Sequence, residues 1–251
     1  MAGGTVILSI VVLLGGYFYA RSRDSATVVP VGAVIDEFRD TELTGFSAPR
    51  RPEPGVYVFD TVGEERVDAL GGTSHEYPAE TTITITPTEC GYRSRWDALR
   101  ERWDETDLCV NDGGESIKSA RQYHEFFGWA NNRVYQCDPD HLIRLYPPRP
   151  GDRRSVICSD QESTTEMVVT VVGTEDVVVA GVAVPALHVT VETRVTGSVR
   201  GNTELDYWAD PETGLVLRRH SIVSTDADSP LGTTKYEEEY TIELRSLEPR
   251  T

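Results

Sequence analysis

A chain of 251 residues is long enough for one large β domain or two small ones, and its 39% hydrophobic and 26% charged content excludes a fully disordered, collagen-like or multi-span membrane protein. With 24 basic against 41 acidic residues the net charge is −17, which repels phosphate backbones and excludes nucleic acid as a partner.

Residues 3–20 carry no charge and include the run from Val6 to Leu14, followed by Tyr17, Phe18 and Tyr19 at the position of an aromatic belt. Eighteen helical residues span about 27 Å, enough for a thin bilayer core, so residues 1–23 are predicted to form one N-terminal transmembrane helix. A cleaved signal peptide is the competing reading. It lacks basic residues before the apolar run and small residues at the usual cleavage positions. Arg21 and Arg23 after the helix favour a cytoplasmic bulk, whereas Cys90, Cys109, Cys137 and Cys158, even in number, favour an oxidising compartment. Two arginines partly offset by Asp24 are the weaker signal. The expected location is therefore the cell membrane, single-pass, with the C-terminal domain extracytoplasmic.

Residues 24–54 hold Pro30, Pro49, Pro52 and Pro54 and read as a proline-rich linker, with a short helix around Val34 to Phe38 as an option within it. From residue 55 to 251 period-two alternation dominates, the mark of strands with one buried and one wet face. Val56 to Thr61, Glu65 to Leu70 and Glu80 to Pro87 open a series of a dozen or so strands. Tyr92, Trp96, Leu99 and Trp103 also have helical spacing. An antiparallel hairpin whose paired positions sum to 199 accounts for more: it sets Cys90 opposite Cys109, Trp96 opposite Trp103 and Arg95 opposite Asp104. A continuous helix would hold the two cysteines about 28 Å apart, far beyond disulfide reach. Cys137 and Cys158 flank the rigid loop Tyr146 to Asp152, and the predicted disulfides are Cys90–Cys109 and Cys137–Cys158.

In the C-terminal half, Leu187, Val189, Val191 and Val195 alternate with His188, Thr190, Glu192 and Arg194, and Tyr236, Tyr240, Ile242 and Leu244 alternate with polar neighbours. Asp210-Pro211-Glu212-Thr213-Gly214 supplies hairpin chemistry between two such runs. The predicted fold class is all-β: a curved, half-barrel-like antiparallel meander following the transmembrane helix. The acidic run Glu237-Glu238-Glu239 reads as a solvated strand edge.

The run Val184 to Val189, together with Trp208-Ala209-Asp210-Pro211-Glu212-Thr213-Gly214-Leu215, resembles the C-terminal strands of the LolA-like half-barrel superfamily over residues 164–247. That group includes lipoprotein carriers, lipid-binding lipoproteins and accessories of anti-sigma factors. The resemblance implies an antiparallel sheet wrapped around an apolar interior that holds acyl chains or a partner segment. The apparent anchor and the cysteine-bearing middle section depart from soluble carriers.

No nucleophile elbow, phosphate-cradling glycine loop or Cys-x-x-Cys occurs, and no cofactor or metal is implied. His124, beside Glu125 in an aromatic strand, is the most suggestive histidine, either as a general base or ligand or as a polar interruption of that strand. Tyr57, Phe59, Trp96, Trp103, Phe126, Trp129 and Trp208, with Phe127, are candidates to line a ligand cleft or simply to build a core. The expected function is a non-enzymatic bacterial envelope protein, joined to the membrane by its N-terminal helix, whose β domain binds a lipid, a lipoprotein segment or a protein partner. The alternative is a structural or regulatory subunit of a membrane complex with a filled core. A hydrolase centred on His124 is the third option.

Overall fold

The computed structural model of the protein describes residues 16, 18–41, 43, 50–138, 141–229 and 232–251. The alternating segments form β1 (Gly55–Val67), β2 (Thr73–Glu76), β3 (Glu80–Pro87), β4 (Gly91–Leu99), β5 (Arg102–Asn111), β6 (Gly114–Phe126) and β7 (Trp129–Cys137). They continue as β8 (Leu142–Leu145), β9 (Arg153–Ser159), β10 (Ser163–Val179), β11 (Val182–Gly197), β12 (Val199–Ala209), β13 (Val216–Ser229) and β14 (Gly232–Leu244). All are antiparallel neighbours.

The expected half-barrel is corrected to a closed barrel of 12 strands. Closure comes from β1 pairing β14 at nine positions, Phe59↔Leu244 through Val67↔Tyr236. Long strands carry a right-handed twist that brings the ends of a wide sheet together, and closure then removes two edges that would otherwise template aggregation. β2 and β3 share the other edge of β1, and β8 pairs β6 beside the ring. The seam between β7 and β9 is thin: among the described residues only Gln136↔Ser159 and Cys137↔Cys158 are in register.

Both predicted disulfides are present, with Cα atoms 4.7 Å apart for Cys90–Cys109 and 4.0 Å for Cys137–Cys158. The β4–β5 register is corrected by one residue. Gly91, not Cys90, lies opposite Cys109, Trp96 faces Asp104 and Asp97 faces Trp103, before a bulge between Asp97 and Leu99. A one-residue slip exchanges faces. Trp96 therefore points into the core, where it stacks on Tyr240 at 4.3 Å, while Trp103 lies on the other face against Tyr123 at 5.3 Å and under Arg95 at 4.0 Å.

The transmembrane helix expected over residues 1–23 lies mostly outside the described residues; among the described residues no helix is long and apolar enough to cross a membrane. Residues 24–40, read from sequence as linker, lie against the barrel. The helix within them, α1 (Val31–Asp40), is longer than expected and buries Val34 and Phe38 against Val56. Upstream, Ala20 packs on Val67 and Phe127. This contact marks a proximal end of the barrel, where the turns at 100–101, 127–128 and 198 also stand. The turns at 112–113, 180–181 and 210–215 form the distal end.

Candidate functional site in the barrel interior

Strand alternation carries charged residues inward at both ends. At the proximal end Glu65 is 0% exposed and accepts hydrogen bonds from Tyr236 Oη at 3.0 Å and pairs with Nδ1 of His75 at 3.0 Å and Nδ1 of His124 at 3.1 Å. Beside it Arg102, 2% exposed, donates through Nε and Nη2 to Glu238 at 2.8 and 3.1 Å and through Nη1 and Nη2 to Asp104 at 2.7 and 2.9 Å. Tyr77 donates to Glu238 as well. Such a network is tolerable inside a barrel because each carboxylate oxygen of Glu65, Glu238 and Asp104 has a hydrogen-bond partner. Burial pushes the Glu65 carboxyl up, but hydrogen bonds from His124 and His75 and the charges of His124 and Arg102 outweigh it and bring the pKa down to about 2. Burial likewise depresses His75, yet its bonds and proximity to Glu65 and Asp24 leave it raised above 6.5.

Asp24 ties the upstream segment to this network. It accepts from Thr73 Oγ1 at 2.6 Å and from the Phe127 amide at 2.9 Å and meets Nε2 of His75 at 3.3 Å, while Glu101 accepts from Ser25 and Thr27. The His75 contribution is present below pH 6.5 and is lost as pH rises through the raised value; that of Glu65 is present above pH 4.5 and fades toward about 2. Docking of the segment is therefore expected to be tightest between about pH 4.5 and 6.5. The protection factor of the Phe127 amide, taken relative to base-catalysed intrinsic exchange, should fall on the alkaline side in the wild type, and His75→Gln should flatten that limb. An unchanged limb in the variant would remove His75 from the account.

A second network closes the distal end. Arg144, 3% exposed, meets Glu115 at 2.9 Å and the Tyr146 hydroxyl at 2.8 Å, and Tyr92 donates to Glu115 at 2.5 Å. The Asp210 to Gly214 turn folds over it: Oδ1 of Asp210 accepts from the Thr213 amide at 2.7 Å, and Arg144 Nη1 reaches the Asp210 carbonyl at 3.4 Å. Gly214 has φ +80°, and a Cβ there would collide with Nη2 of Arg144. Gly214→Ala is expected to cost about 1–2 kcal/mol for the left-handed backbone alone, more with the collision, measured by urea unfolding.

Between the two networks lies a cavity of about 490 Å³. Its middle is apolar, with Phe59, Ile85, Leu108, Met167, Val191 and Leu205 among its walls. Toward the proximal end the wall turns polar, through Thr165, Thr193, Thr203 and Thr225, and ends at Asn131 and Trp129, which is 60% exposed. The mouth therefore opens at the end where the upstream segment docks.

Of the aromatic residues singled out from sequence, Phe59, Phe126 and Trp129 line this cavity. Tyr57 and Trp96 are packed in the core, and Phe127 is buried under Ala20. Trp103 and Trp208 face away from it: Trp208 stacks on His188 at 4.4 Å and donates to Glu175. His124 lines the cavity, and its bond to Glu65 makes an imidazole–carboxylate pair. All four cysteines are in disulfides, and among the described residues no cluster fit to hold a metal occurs. The reading of Glu237 to Glu239 as a strand edge is corrected. β14 is paired on both sides, and Glu238 points inward at 4% exposure. Sequence reasoning missed the interior charges Glu65, Arg102, Asp104, Glu115 and Glu238, although parity marks the last: it lies between Tyr236 and Tyr240 on one face.

The sequence matches no protein-family model and no curated protein. Among solved structures it is similar to the crystal structure of the hypothetical lipoprotein YmcC from Escherichia coli, at 14% identity and a TM-score of 0.33, over 85% of this chain and 97% of that one. At that score the likeness identifies neither family nor function, and the resemblance to LolA-like half-barrels gains no support from it.

Proposed function

We propose that the protein is a non-enzymatic component of the bacterial cell envelope, held to the membrane by its N-terminal residues, whose barrel accommodates the apolar part of a lipid. The observation that carries this reading is the cavity of about 490 Å³, within the usual range for ligand sites, with an apolar middle and a mouth at the end that receives the upstream segment. A chain bound there gains about 0.8 kcal/mol per buried methylene, and it enters from the side where an anchor would place the bilayer. The two disulfides support an oxidising compartment. The filled-core alternative is disfavoured by that same cavity.

Native mass spectrometry of the full chain released from detergent, followed by organic extraction, tests the proposal. A co-purifying acyl compound that is displaced by an added lipid probe is the expected result. A ligand-free protein that also fails to take up the probe would overturn it and return the filled-core subunit to first place.

A further inference from the structure

We infer that the cavity takes a single-chain amphiphile with a carboxylate head and that Arg219 is the residue that receives this head, an inference that rests on the lipid reading above and deepens it. Arg219 stands on the inner wall of β13, lines the cavity, and lies over the rings of Trp96 at 4.9 Å and Tyr240 at 5.2 Å. Its Nε and Nη2 are buried and have no hydrogen-bond partner among the described residues. A guanidinium keeps its charge and its five N–H donors at any physiological pH, and burying donors without acceptors is unfavourable. The two rings engage the face of the cation and leave the in-plane N–H groups unsatisfied.

The identity of the two atoms specifies the ligand. Nε and Nη2 form the side-on fork that grips a carboxylate with two parallel bonds. The same fork is used elsewhere in this barrel: Arg102 offers Nε and Nη2 to Glu238, and Arg93 offers Nε and Nη2 to Asp107 at 2.6 and 3.0 Å. Asp104, whose carboxyl feels the Arg219 charge, already accepts from Arg102 through both oxygens. Three carboxylates, Glu65, Asp104 and Glu238, already share this end of the interior, so a head with one negative charge suits the site better than a phosphate with two. From Arg219 the apolar wall of Met167, Val191 and Leu205 accommodates the chain.

The test uses the delipidated full chain in detergent, titrated with hexadecanoate, its methyl ester and hexadecyl phosphate. Binding is read by calorimetry and by tryptophan fluorescence, since Trp96 lies under the Arg219 guanidinium. Hexadecanoate should bind most tightly, and Arg219→Met should weaken it roughly ten- to hundredfold while leaving the ester unchanged. Arg219→Lys, which keeps the charge but not the fork, should fall between and serves as the folded control if the methionine variant is unstable. Equal binding of acid and ester, with no effect of either variant, would overturn the head-group assignment and leave the lipid reading standing. Tighter binding of the phosphate would overturn the carboxylate class. Failure of all three probes to bind the wild type would bring down the lipid reading itself.

Discussion

Replacing Arg102 with methionine is expected to destabilise the barrel by about 3–5 kcal/mol, the usual consequence of removing one partner from a buried ion pair. Arg102 makes four hydrogen bonds to Glu238 and Asp104 and lies 5.2 Å from the ring centre of Trp96. Methionine fills much of the stem's volume, so the loss is electrostatic: the buried Glu238 and the partly buried Asp104 keep their desolvation cost and lose their cation. For a chain of this length that corresponds to a fall in Tm of roughly 6–20 °C. Adding Glu238→Gln to the variant should recover part of the loss, because one orphaned charge disappears, and the difference from simple additivity measures the pair. The pH dependence carries a second signature. Burial raises the Asp104 carboxyl, while the charge and hydrogen bonds of Arg102, with Arg219 and His124 beyond, bring it below 3.8. The stability this confers is present above pH 3.8 and lost as pH falls through the lowered value, so wild type and variant should converge in acid. A Tm within a few degrees of wild type would show that water already solvates this cluster.

The strands and both disulfides were legible because they depend on local signals. Alternation in β11 and β14 placed Leu187, Val189, Tyr240 and Ile242 on buried faces. The register of β4 and β5 is not legible in this way, because disulfide-bonded residues need not stand directly opposite. Cys90 instead lies one residue before its strand, and the bulge at Asp97 takes up a further residue at the turn. Closure joins Phe59 to Leu244 across most of the chain, and no neighbouring residue signals a pairing that distant. Closure is also why Glu238 was misplaced. An acidic triplet suits a solvated edge, but once β14 has neighbours on both sides, parity forces its middle residue inward to meet Arg102. Arg102 and Asp104 occupy the inward face of β5 together with Leu108 and Val110, a face that a register off by one could not identify. Interior charge therefore stayed hidden behind two long-range facts, closure and register, and not behind any weakness in the alternation itself.

Removal of the Cys137–Cys158 crosslink, by the double change to alanine, is expected to cost about 2–5 kcal/mol and to open the barrel sideways. The chain-entropy argument assigns nearly the same value, about 3 kcal/mol, to both crosslinks, since their sequence separations are 19 and 21. Their native surroundings differ. Cys90–Cys109 closes a hairpin that already has eight paired positions between β4 and β5, so its loss leaves that ladder in place. Cys137–Cys158 spans a seam with two paired positions, one of them the cysteines themselves, assisted by Arg133 reaching Asp160 at 2.8 Å and Ser198 at 2.9 Å. Cutting it leaves little to hold β7 against β9. Hydrogen exchange should then rise selectively in these two strands, and an apolar dye should reach the cavity, while the Cys90/Cys109 double variant shows neither change. The wall residues Asn131 and Arg133 of β7 line the cavity, so an open seam would admit a chain through the side as well as through the proximal mouth. Equal exchange in the two double variants would show that the seam is held by side chains across the gap, and that the ring closes without its sulfur.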